Sequence, residues 1–407
     1  MAILPAVTID DVRAAQALLE GITRPTPLEY SRGLSELVGS PVRLKCENLQ
    51  RAGSFKIRGA YTRMARLTDD EKAAGVVAAS AGNHAQGVAL AASMLGIRAK
   101  VFMPLGAPMP KLLATQGYGA DVEQLGTTID ECLVAAQRFA DETGAVLIHP
   151  FDHPDIVAGQ GTCGLEILEQ CPDVRTVVVS VGGGGLLAGI STVLRALKPD
   201  VRIIGVQAAG AAAYPQSLAA GHPVPLESMA TMADGIAVGR PGDVPFAVIQ
   251  DLVDSVETVS EDSLARALLF LLERAKLVVE PAGAAAAAWL LDGQQDHPLE
   301  GPVVAVLSGG NIDPLLLLRI IRHGMAAGGR YLELRFRVPD RPGSLAAVLA
   351  DCAALDANVV DVAHSRTVKA LSVQEVEIGV TLETRGREHA DAVTAALREK
   401  GYRLSVD

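Results

Sequence analysis

The sequence predicts an α/β protein with a mostly parallel sheet, followed by a smaller α+β domain. Short apolar runs alternate with helix-like segments over roughly the first three hundred residues, and glycine is abundant, at 40 of 407 residues. Continuous apolar strands are typical of parallel sheets that helices cover on both faces. After Gly328 and Gly329 the pattern changes to alternating polar and apolar residues, which is typical of strands with one face in solvent.

Periodicity places the individual elements. Buried strands are predicted at 42–48, 76–80, 99–104, 146–150, 176–182, 202–208 and 303–310. Helices are predicted between them at 84–95, 128–140, 186–197 and 260–273. The final part predicts the order β-α-β-β-α-β, with strands at 331–338, 358–366 and 373–383, helices at 344–355 and 387–399, and a short last strand. We therefore expect a first domain at 1–325 with a smaller lobe at roughly 50–150, a linker at 326–330 and a second domain at 331–407.

Composition excludes several classes of protein. The chain carries 36 basic and 47 acidic residues, a net charge of −11, whereas a nucleic-acid partner requires a basic face. Five cysteines without a C-x-x-C pair argue against a disulfide framework or a structural zinc site and favour a reducing compartment. The start of the chain lacks the basic region of a signal peptide, and the uncharged stretch 176–194 contains four glycines that a membrane helix would not favour. We expect a cytoplasmic protein with no membrane partner.

Three polar, glycine-rich loops follow predicted strands, at 80–84, 182–185 and 308–311. In open parallel sheets, ligands bind where the carboxyl ends of strands lead into such loops. Four consecutive glycines allow a backbone to approach an anion closely, so the run 182–185 predicts a phosphate-binding loop. Its spacing also fits a loose dinucleotide fingerprint, which leaves a nicotinamide dehydrogenase as an alternative, but Gln207 stands where that fingerprint has an acidic residue.

Lys56 is the candidate nucleophile. It lies between Phe55 and Ile57 among small residues, a context that indicates partial burial. Desolvation lowers the pKa of an ammonium group and releases the neutral amine that Schiff-base formation needs. A phosphate loop, such a lysine and a serine after a strand together suit pyridoxal phosphate.

Six motifs then resemble one family. The chain is similar to threonine ammonia-lyases, also called threonine dehydratases, over about residues 5–323, in the segments ENLQRAGSFKIRGAY (47–61), SAGNHAQGVA (80–89), SVGGGGLLAG (180–189), ADGIAV (233–238), EPAGA (280–284) and LSGGNID (307–313). These enzymes belong to the tryptophan-synthase-β-like, fold type II class of pyridoxal-phosphate enzymes. The resemblance implies a two-lobed catalytic body and a carbon–nitrogen lyase that converts L-threonine to 2-oxobutanoate and ammonia, and L-serine to pyruvate, by β-elimination of water.

The resemblance also implies roles for individual residues. Lys56 matches the lysine that forms the Schiff base and moves the proton at the substrate Cα. Phe55 is expected to pack near the cofactor ring, Asn83 to contact the pyridoxal 3-hydroxyl and Ser308 to face the pyridine nitrogen. The other implied cofactor-binding residues are Gly182, Gly183, Gly184, Gly185 and Leu186 at the phosphate, and Gly235 at the ring face. The residues implied at the substrate carboxylate are Ser80, Ala81, Gly82, Asn83 and His84.

Alternatives within the same class remain. A serine dehydratase or serine racemase is the nearest, but racemases have a serine at the position of Ala81 and acidic metal ligands at those of Gln207 and Ala213. We therefore expect elimination without racemisation and no divalent metal site. A non-catalytic amino-acid sensor is a third possibility, which the intact motifs disfavour. Glu280 is left open between a structural and a functional carboxylate.

The segment RVPDRPGSLAAVL (337–349) resembles the start of an ACT domain, a small ferredoxin-like module that binds amino acids or related effectors. The resemblance implies allosteric regulation by an amino-acid or nucleotide effector and a homo-oligomer, a dimer or tetramer. A purely oligomerising module is the alternative. A role in isoleucine biosynthesis and a role in threonine catabolism both stay open. The implied effector-binding residues are Asp340, Arg341, Pro342, Gly343 and Asn358.

Overall fold

A computed structural model describes residues 7–293, 299–366 and 372–406 of the chain. These residues form two compact units, of which the first ends at Asp313 and the second begins at Pro314. The first six residues of the segment tested for a signal peptide lie outside the described residues. No helix within the described ranges combines the length and the apolar character needed to cross a membrane.

The first unit consists of alternating helices and strands. Its helices are α1 Ile9–Leu19, α2 Arg32–Val38, α3 Lys56–Ala65, α4 Asp69–Ala74, α5 Asn83–Leu95, α6 Met109–Gly117, α7 Ile129–Thr143, α8 Pro154–Gln170, α9 Gly185–Leu197, α10 Ala213–Ala220, α11 Asp243–Leu252, α12 Glu261–Phe270 and α13 Pro281–Asp292. Its strands are β1 Leu28–Tyr30, β2 Val42–Lys45, β3 Val76–Ala79, β4 Ala99–Met103, β5 Asp121–Gln124, β6 Val146–Leu147, β7 Thr176–Ser180, β8 Arg202–Ala208, β9 Ser255–Val259 and β10 Val303–Val306. The alternation confirms the predicted α/β class.

Two sheets define two lobes in this unit. The larger sheet has the strand order β1-β2-β10-β7-β8-β9, and all of its pairs are parallel except the antiparallel pair β1 and β2. The smaller sheet has the order β5-β4-β3-β6 and is parallel throughout. Both therefore direct the carboxyl ends of their parallel strands into loops, where the sequence places its polar motifs.

The larger lobe is held by close contact between two helices. α8 packs against α9, and a Cβ added at Gly189 would lie 2.4 Å from the carbonyl oxygen of Val157. A Cβ added at Gly161 would also be too close to the neighbouring backbone, at 2.9 Å from the Gly189 carbonyl oxygen. Only glycine allows the two backbones to approach this closely. This contact fixes the start of α9, and with it the glycine loop that precedes the helix.

The second unit contains α14 Pro314–Ala327, β11 Tyr331–Pro339, α15 Ser344–Ala353, β12 Asn358–Ser365, β13 Glu375–Glu383, α16 Arg387–Glu399 and β14 Arg403–Val406. Its sheet is antiparallel, in the order β12-β13-β11-β14. Phe336 and Ile378 pair across β11 and β13 and pack with Val348 and Leu397 from the two helices. The predicted order β-α-β-β-α-β and the ferredoxin-like sheet are confirmed.

Candidate active site

Lys56 is the first residue of α3, and its amine is enclosed by protein although the residue keeps some solvent contact. Its Nζ donates a hydrogen bond to the carbonyl oxygen of Pro150 at 3.0 Å and lies 5.0 Å from the centre of the Phe55 ring. Burial lowers the pKa of Lys56 to about 8, partly offset by the nearby carboxyl of Glu280. About a tenth of the amine is therefore neutral at pH 7, far more than for an ordinary lysine.

The glycine loop lies between β7 and α9, directly beside the residues that follow Pro150. A Cβ at Gly183 would lie 2.3 Å from the ring of Phe151. Gly184 has φ of 100°, and a Cβ there would lie 2.0 Å from the hydroxyl of Tyr214. Tyr214 also donates a hydrogen bond to the Gly183 carbonyl oxygen at 3.2 Å. The loop is thus packed too tightly for side chains, and it leads into the positive end of a helix dipole.

Ser308 follows β10 and faces the neighbouring strand β7. The hydroxyl of Ser180 donates a hydrogen bond to the Ser308 hydroxyl at 3.0 Å, and both residues are buried. The backbone N–H of Phe55 donates to the Ser308 carbonyl oxygen at 3.2 Å. This bond joins the third polar loop to the segment that carries Lys56.

The loop 80–84 connects β3 to α5. The Gly82 N–H donates a hydrogen bond to the Ser80 hydroxyl at 3.1 Å, which shapes the turn. His84 is buried, and its Nε2 lies 2.7 Å from the carbonyl oxygen of Ile148, an acceptor that requires the proton on Nε2. Burial, with the nearby charge of Lys56, lowers the pKa of His84 to about 3. His84 is therefore a neutral residue that ties the loop to the small sheet.

Asn83 contacts two residues whose role the sequence did not settle. Its Nδ2 donates a hydrogen bond to Glu280 Oε1 at 2.5 Å, and its Oδ1 accepts one from Asn311 Nδ2 at 2.8 Å. Glu280 is buried at the start of α13. Asn311 belongs to the quoted LSGGNID motif, and Glu280 to the EPAGA motif, so both could have been singled out by their place in those motifs.

A second buried lysine was missed altogether. Lys111 of α6 pairs with Asp234 at 2.5 Å, and its Nζ lies 3.9 Å from where a Cβ of Gly82 would be. Asp234 precedes Gly235, whose Cβ would lie 3.7 Å from Glu280 Oε1. Lys111 follows an apolar and proline-rich stretch with no recognisable motif, so the sequence alone gave no reason to select it.

These contacts join the separate motifs into one site. Lys56 reaches the glycine loop through Pro150 and Phe151, and it reaches the third loop through Phe55. Gly182 also lies next to Gly235, because a Cβ added at Gly182 would lie 3.4 Å from the Gly235 carbonyl oxygen. An enclosed amine, an anion-binding loop, a neutral hydroxyl and an amide thus surround one region. That set of groups fits pyridoxal phosphate, because the amine can form its Schiff base, the loop can bind its phosphate, and the hydroxyl and the amide can face its polar ring atoms.

The implied effector residues are separated in one chain. Asp340 follows β11 at the end that pairs with Glu375, where it forms an ion pair with Arg366 at 2.9 Å. Asn358 lies at the opposite end of the sheet, paired with Glu383. Within a single chain, Asn358 therefore does not lie near the other four implied effector residues, which form the turn 340–343.

Comparison with known proteins identifies the family of this chain. The family model described as pyridoxal-phosphate dependent enzyme matches residues 19–309, and the ACT domain model matches residues 332–401. The chain belongs to the pyridoxal-phosphate dependent enzymes, with an ACT domain at its carboxyl-terminal end. The fold type II class and the cofactor expected from the sequence are thereby confirmed.

Particular relatives narrow the comparison. The chain is 45% identical to L-threonine ammonia-lyase of Thermotoga maritima over 98% of this chain and 99% of that protein. It is 43% identical to L-threonine dehydratase catabolic TdcB of Escherichia coli (strain K12), over 75% of this chain and 94% of that one. Among solved structures, maize serine racemase superposes with a TM-score of 0.74 at 36% identity, over 79% of this chain and 99% of the racemase.

Proposed function

We propose that this protein deaminates L-threonine to 2-oxobutanoate and ammonia by β-elimination of water, and L-serine to pyruvate in the same way. The observation that carries the proposal is the enclosed amine of Lys56, joined through Pro150 and Phe151 to the glycine loop. The similarity to L-threonine ammonia-lyase over nearly the whole of both chains supports the choice of substrate.

Pyridoxal phosphate, when bound, supplies a ring that withdraws electrons from the substrate Cα. Residues 182–186 would hold its phosphate, Gly235 would lie at the ring face, and Asn83 would contact the 3-oxygen. Lys56, with its lowered pKa, takes the proton from Cα, and the loop 80–84 binds the substrate carboxylate. Ser308 presents a neutral hydroxyl to the pyridine nitrogen, which favours prompt loss of a β-hydroxyl over a long-lived carbanion.

The racemase alternative is tested at Ala81. A methyl side chain carries no proton for the opposite face of Cα, so we expect pyruvate and no appreciable D-serine from L-serine. The assay is a time course of 2-oxo acid from both amino acids, with chiral chromatography of the residual serine. D-serine formed at a rate near that of elimination would contradict the assignment, and a protein without violet absorbance or turnover would contradict the whole proposal.

We further propose that the second unit binds a small effector, an amino acid or a nucleotide, and that the enzyme is a cytoplasmic homo-oligomer. The match to the ACT domain model supports the effector. Cys46, Cys132, Cys163, Cys171 and Cys352 are all buried free thiols, which suits a reducing compartment. Kinetics on threonine with and without isoleucine, valine or AMP tests the effector, and sedimentation measures the assembly.

A further inference from the structure

Asn83 is the central residue of a chain of directed hydrogen bonds. Asn311 Nδ2 donates both to the Ala52 carbonyl oxygen at 2.7 Å and to Asn83 Oδ1 at 2.8 Å. Asn83 Nδ2 then donates to Glu280 Oε1 at 2.5 Å. A backbone carbonyl can only accept, so Ala52 fixes the orientation of the Asn311 amide. A carboxylate also only accepts, so Glu280 fixes that of the Asn83 amide.

We propose that Glu280 is a positioning residue that, with Asn311, orients the Asn83 amide so that its second N–H faces the cofactor 3-oxygen. The inference rests on the proposed function, because it assigns Asn83 to that oxygen. An asparagine Nδ2 has two hydrogens, and Glu280 takes only one of them. If the amide turned over, its carbonyl oxygen would meet both the Glu280 carboxylate and, toward the cofactor, another oxygen.

Two glycines pack directly against these groups. A Cβ at Gly309 would lie 2.2 Å from Glu280 Oε1 and 2.9 Å from Asn83 Nδ2. At the other end of the chain of bonds, a Cβ at Gly53 would lie 2.2 Å from Asn311 Oδ1, and Gly53 has φ of 70°. The two glycines of separate motifs are thus explained by one network. The carboxylate and the two amides fill the space that side chains would otherwise occupy.

Several charged groups face Glu280 and determine its protonation. Asp234, on the short 3-10 helix 234–236, adds to the effect of burial and raises the pKa of Glu280. Lys111 from α6, Asn83 from α5 and Lys56 from α3 act in the opposite direction, and the result is a pKa of about 7. Below that pH the carboxyl gains a proton and can itself donate. The Asn83 amide is then oriented by Asn311 alone, and its bond to the cofactor oxygen weakens.

The absorbance spectrum of the full-length holoenzyme reports this bond without any turnover. Lysine-linked pyridoxal phosphate has a tautomer with a negatively charged 3-oxygen, which absorbs in the violet, and a neutral one, which absorbs in the near ultraviolet. A donor to the oxygen favours the violet form. We expect the ratio of the two bands in the native enzyme to change with pH around a midpoint near 7, with the violet form favoured above it.

Two substitutions of Glu280 separate orientation from titration. Glu280→Gln keeps an acceptor oxygen but has no titrating proton. Because its amide, like the protonated carboxyl, can also donate, the band ratio should stay near its low-pH value at every pH. Glu280→Met has neither an acceptor oxygen nor a titrating proton, so the violet band should fall at every pH. The dissociation constant for pyridoxal phosphate should rise about tenfold, as expected for the loss of one hydrogen bond. Glu142→Gln on the exposed face of α7 is the matched control and should leave both quantities unchanged.

Charge changes around Glu280 give a test that does not depend on replacing it. Asp234→Asn should move the midpoint to lower pH, and Lys111→Met should move it to higher pH, because the two residues act on Glu280 in opposite directions. The proposal is overturned if Glu280→Gln retains the native titration, or if both charge changes leave the midpoint in place. These two results decide it even if Glu280→Met does not fold. A native protein with no violet band would instead contradict the proposed function.

Discussion

Arg58 binds both carboxylate oxygens of Glu47, with Nε and Nη2 each donating at 2.8 Å, and the two side chains are completely buried. The third nitrogen, Nη1, lies 2.7 Å from Glu166 Oε1. Glu166 also pairs with Lys45 at 2.6 Å. This buried network joins β2 and α8 to the first turn of α3, two residues after Lys56. The network therefore anchors the helical turn that carries Lys56, the proposed nucleophile.

Removing Arg58 should be among the most destabilising single changes in the protein. Arg58→Met leaves Glu47 completely buried without its main partner, which typically costs about 3–5 kcal/mol of the free energy of unfolding. Glu166 keeps its ion pair with Lys45. Urea denaturation measures the loss, and Arg138→Met, at an exposed pair on α7, should have little effect. A similar small change for both variants would show that the buried network does not stabilise the fold.

The same pair predicts how acid acts on the protein. Burial alone would raise the pKa of Glu47, but Arg58 outweighs it and holds the pKa below its usual value near 4.5. The pair therefore contributes its full stability above pH 4.5 and loses it as the pH falls through the lowered pKa. Urea titrations between pH 3 and 6 should show this decline in the native protein. In Arg58→Met the decline should be smaller or reversed.

Lys56→Ala removes both the nucleophile and the base in the proposed reaction. We expect turnover of threonine to fall by several orders of magnitude and the violet absorbance to disappear, because no amine remains to link the cofactor. Lys72→Ala, on the short helix α4, is the control and should retain both properties. If Lys56→Ala kept more than a few per cent of the native turnover, the role of Lys56 would be wrong.

Gly184→Ala tests the glycine loop. The positive φ alone costs a non-glycine residue about 1–3 kcal/mol, and the new Cβ would collide with the Tyr214 hydroxyl. We expect a lower melting temperature and weaker binding of pyridoxal phosphate. Gly106→Ala is the matched control, because no atom lies within 4 Å of its Cβ position. Native-like cofactor binding by Gly184→Ala would argue against a phosphate at this loop.

Divalent metals should have no effect through Gln207. Its Nε2 donates to the Val181 carbonyl oxygen at 3.3 Å, and its Oε1 accepts from the Tyr214 N–H at 2.8 Å, so the amide is fully engaged. Ala213, the second substituted position, has no side-chain oxygen. We expect the same kcat with and without EDTA. A large loss with EDTA that magnesium restores would contradict this prediction.

Cutting the chain after Asp313 should separate catalysis from regulation. The first unit ends at Asp313. The catabolic dehydratase TdcB matches 75% of this chain, and the match covers 94% of the length of TdcB. A protein about as long as the first unit therefore exists without the second unit. We expect residues 1–313 to bind pyridoxal phosphate and deaminate threonine but to lose any effector response of the full-length enzyme. If the response persists in the truncated protein, the ACT domain is not the sensor.

Hydrophobic patterning predicted the strands and helices that are buried on both faces. β7 and β8 are continuous apolar runs, and each predicted strand of the first unit corresponds to an observed one. β1, β5 and β9 were missed because they lie at sheet edges and carry exposed polar residues, as in the sequence DVEQ of β5. An edge strand needs only one partner and a single covered face, so its pattern is weak.

Residues of the candidate site could be predicted only where they belong to a recognisable sequence motif. Lys56 and the glycine run were recognised from local sequence. Lys111 lies outside every quoted motif, and it meets Asp234 of the ADGIAV motif across more than a hundred residues of sequence. The role of Glu280 depends on its burial and on the groups around it, which no spacing in the sequence expresses. The resemblance assigns Asn358 to contacts with a facing subunit. Within one chain Asn358 lies at the opposite end of the sheet from the turn 340–343, so its role stays a prediction.

The position of β10 has a consequence for how the protein is made. β10 pairs with β2 on one side and with β7 on the other, although it follows both of them far along the chain. During translation, the facing edges of β2 and β7 therefore stay open until Val306 has left the ribosome, an interval of roughly 6–50 seconds at about 5–20 residues per second. Open apolar strand edges are sites of aggregation, so the nascent chain should need protection from a chaperone over that interval. β10, the last strand of the larger sheet to emerge, joins the two halves of that sheet.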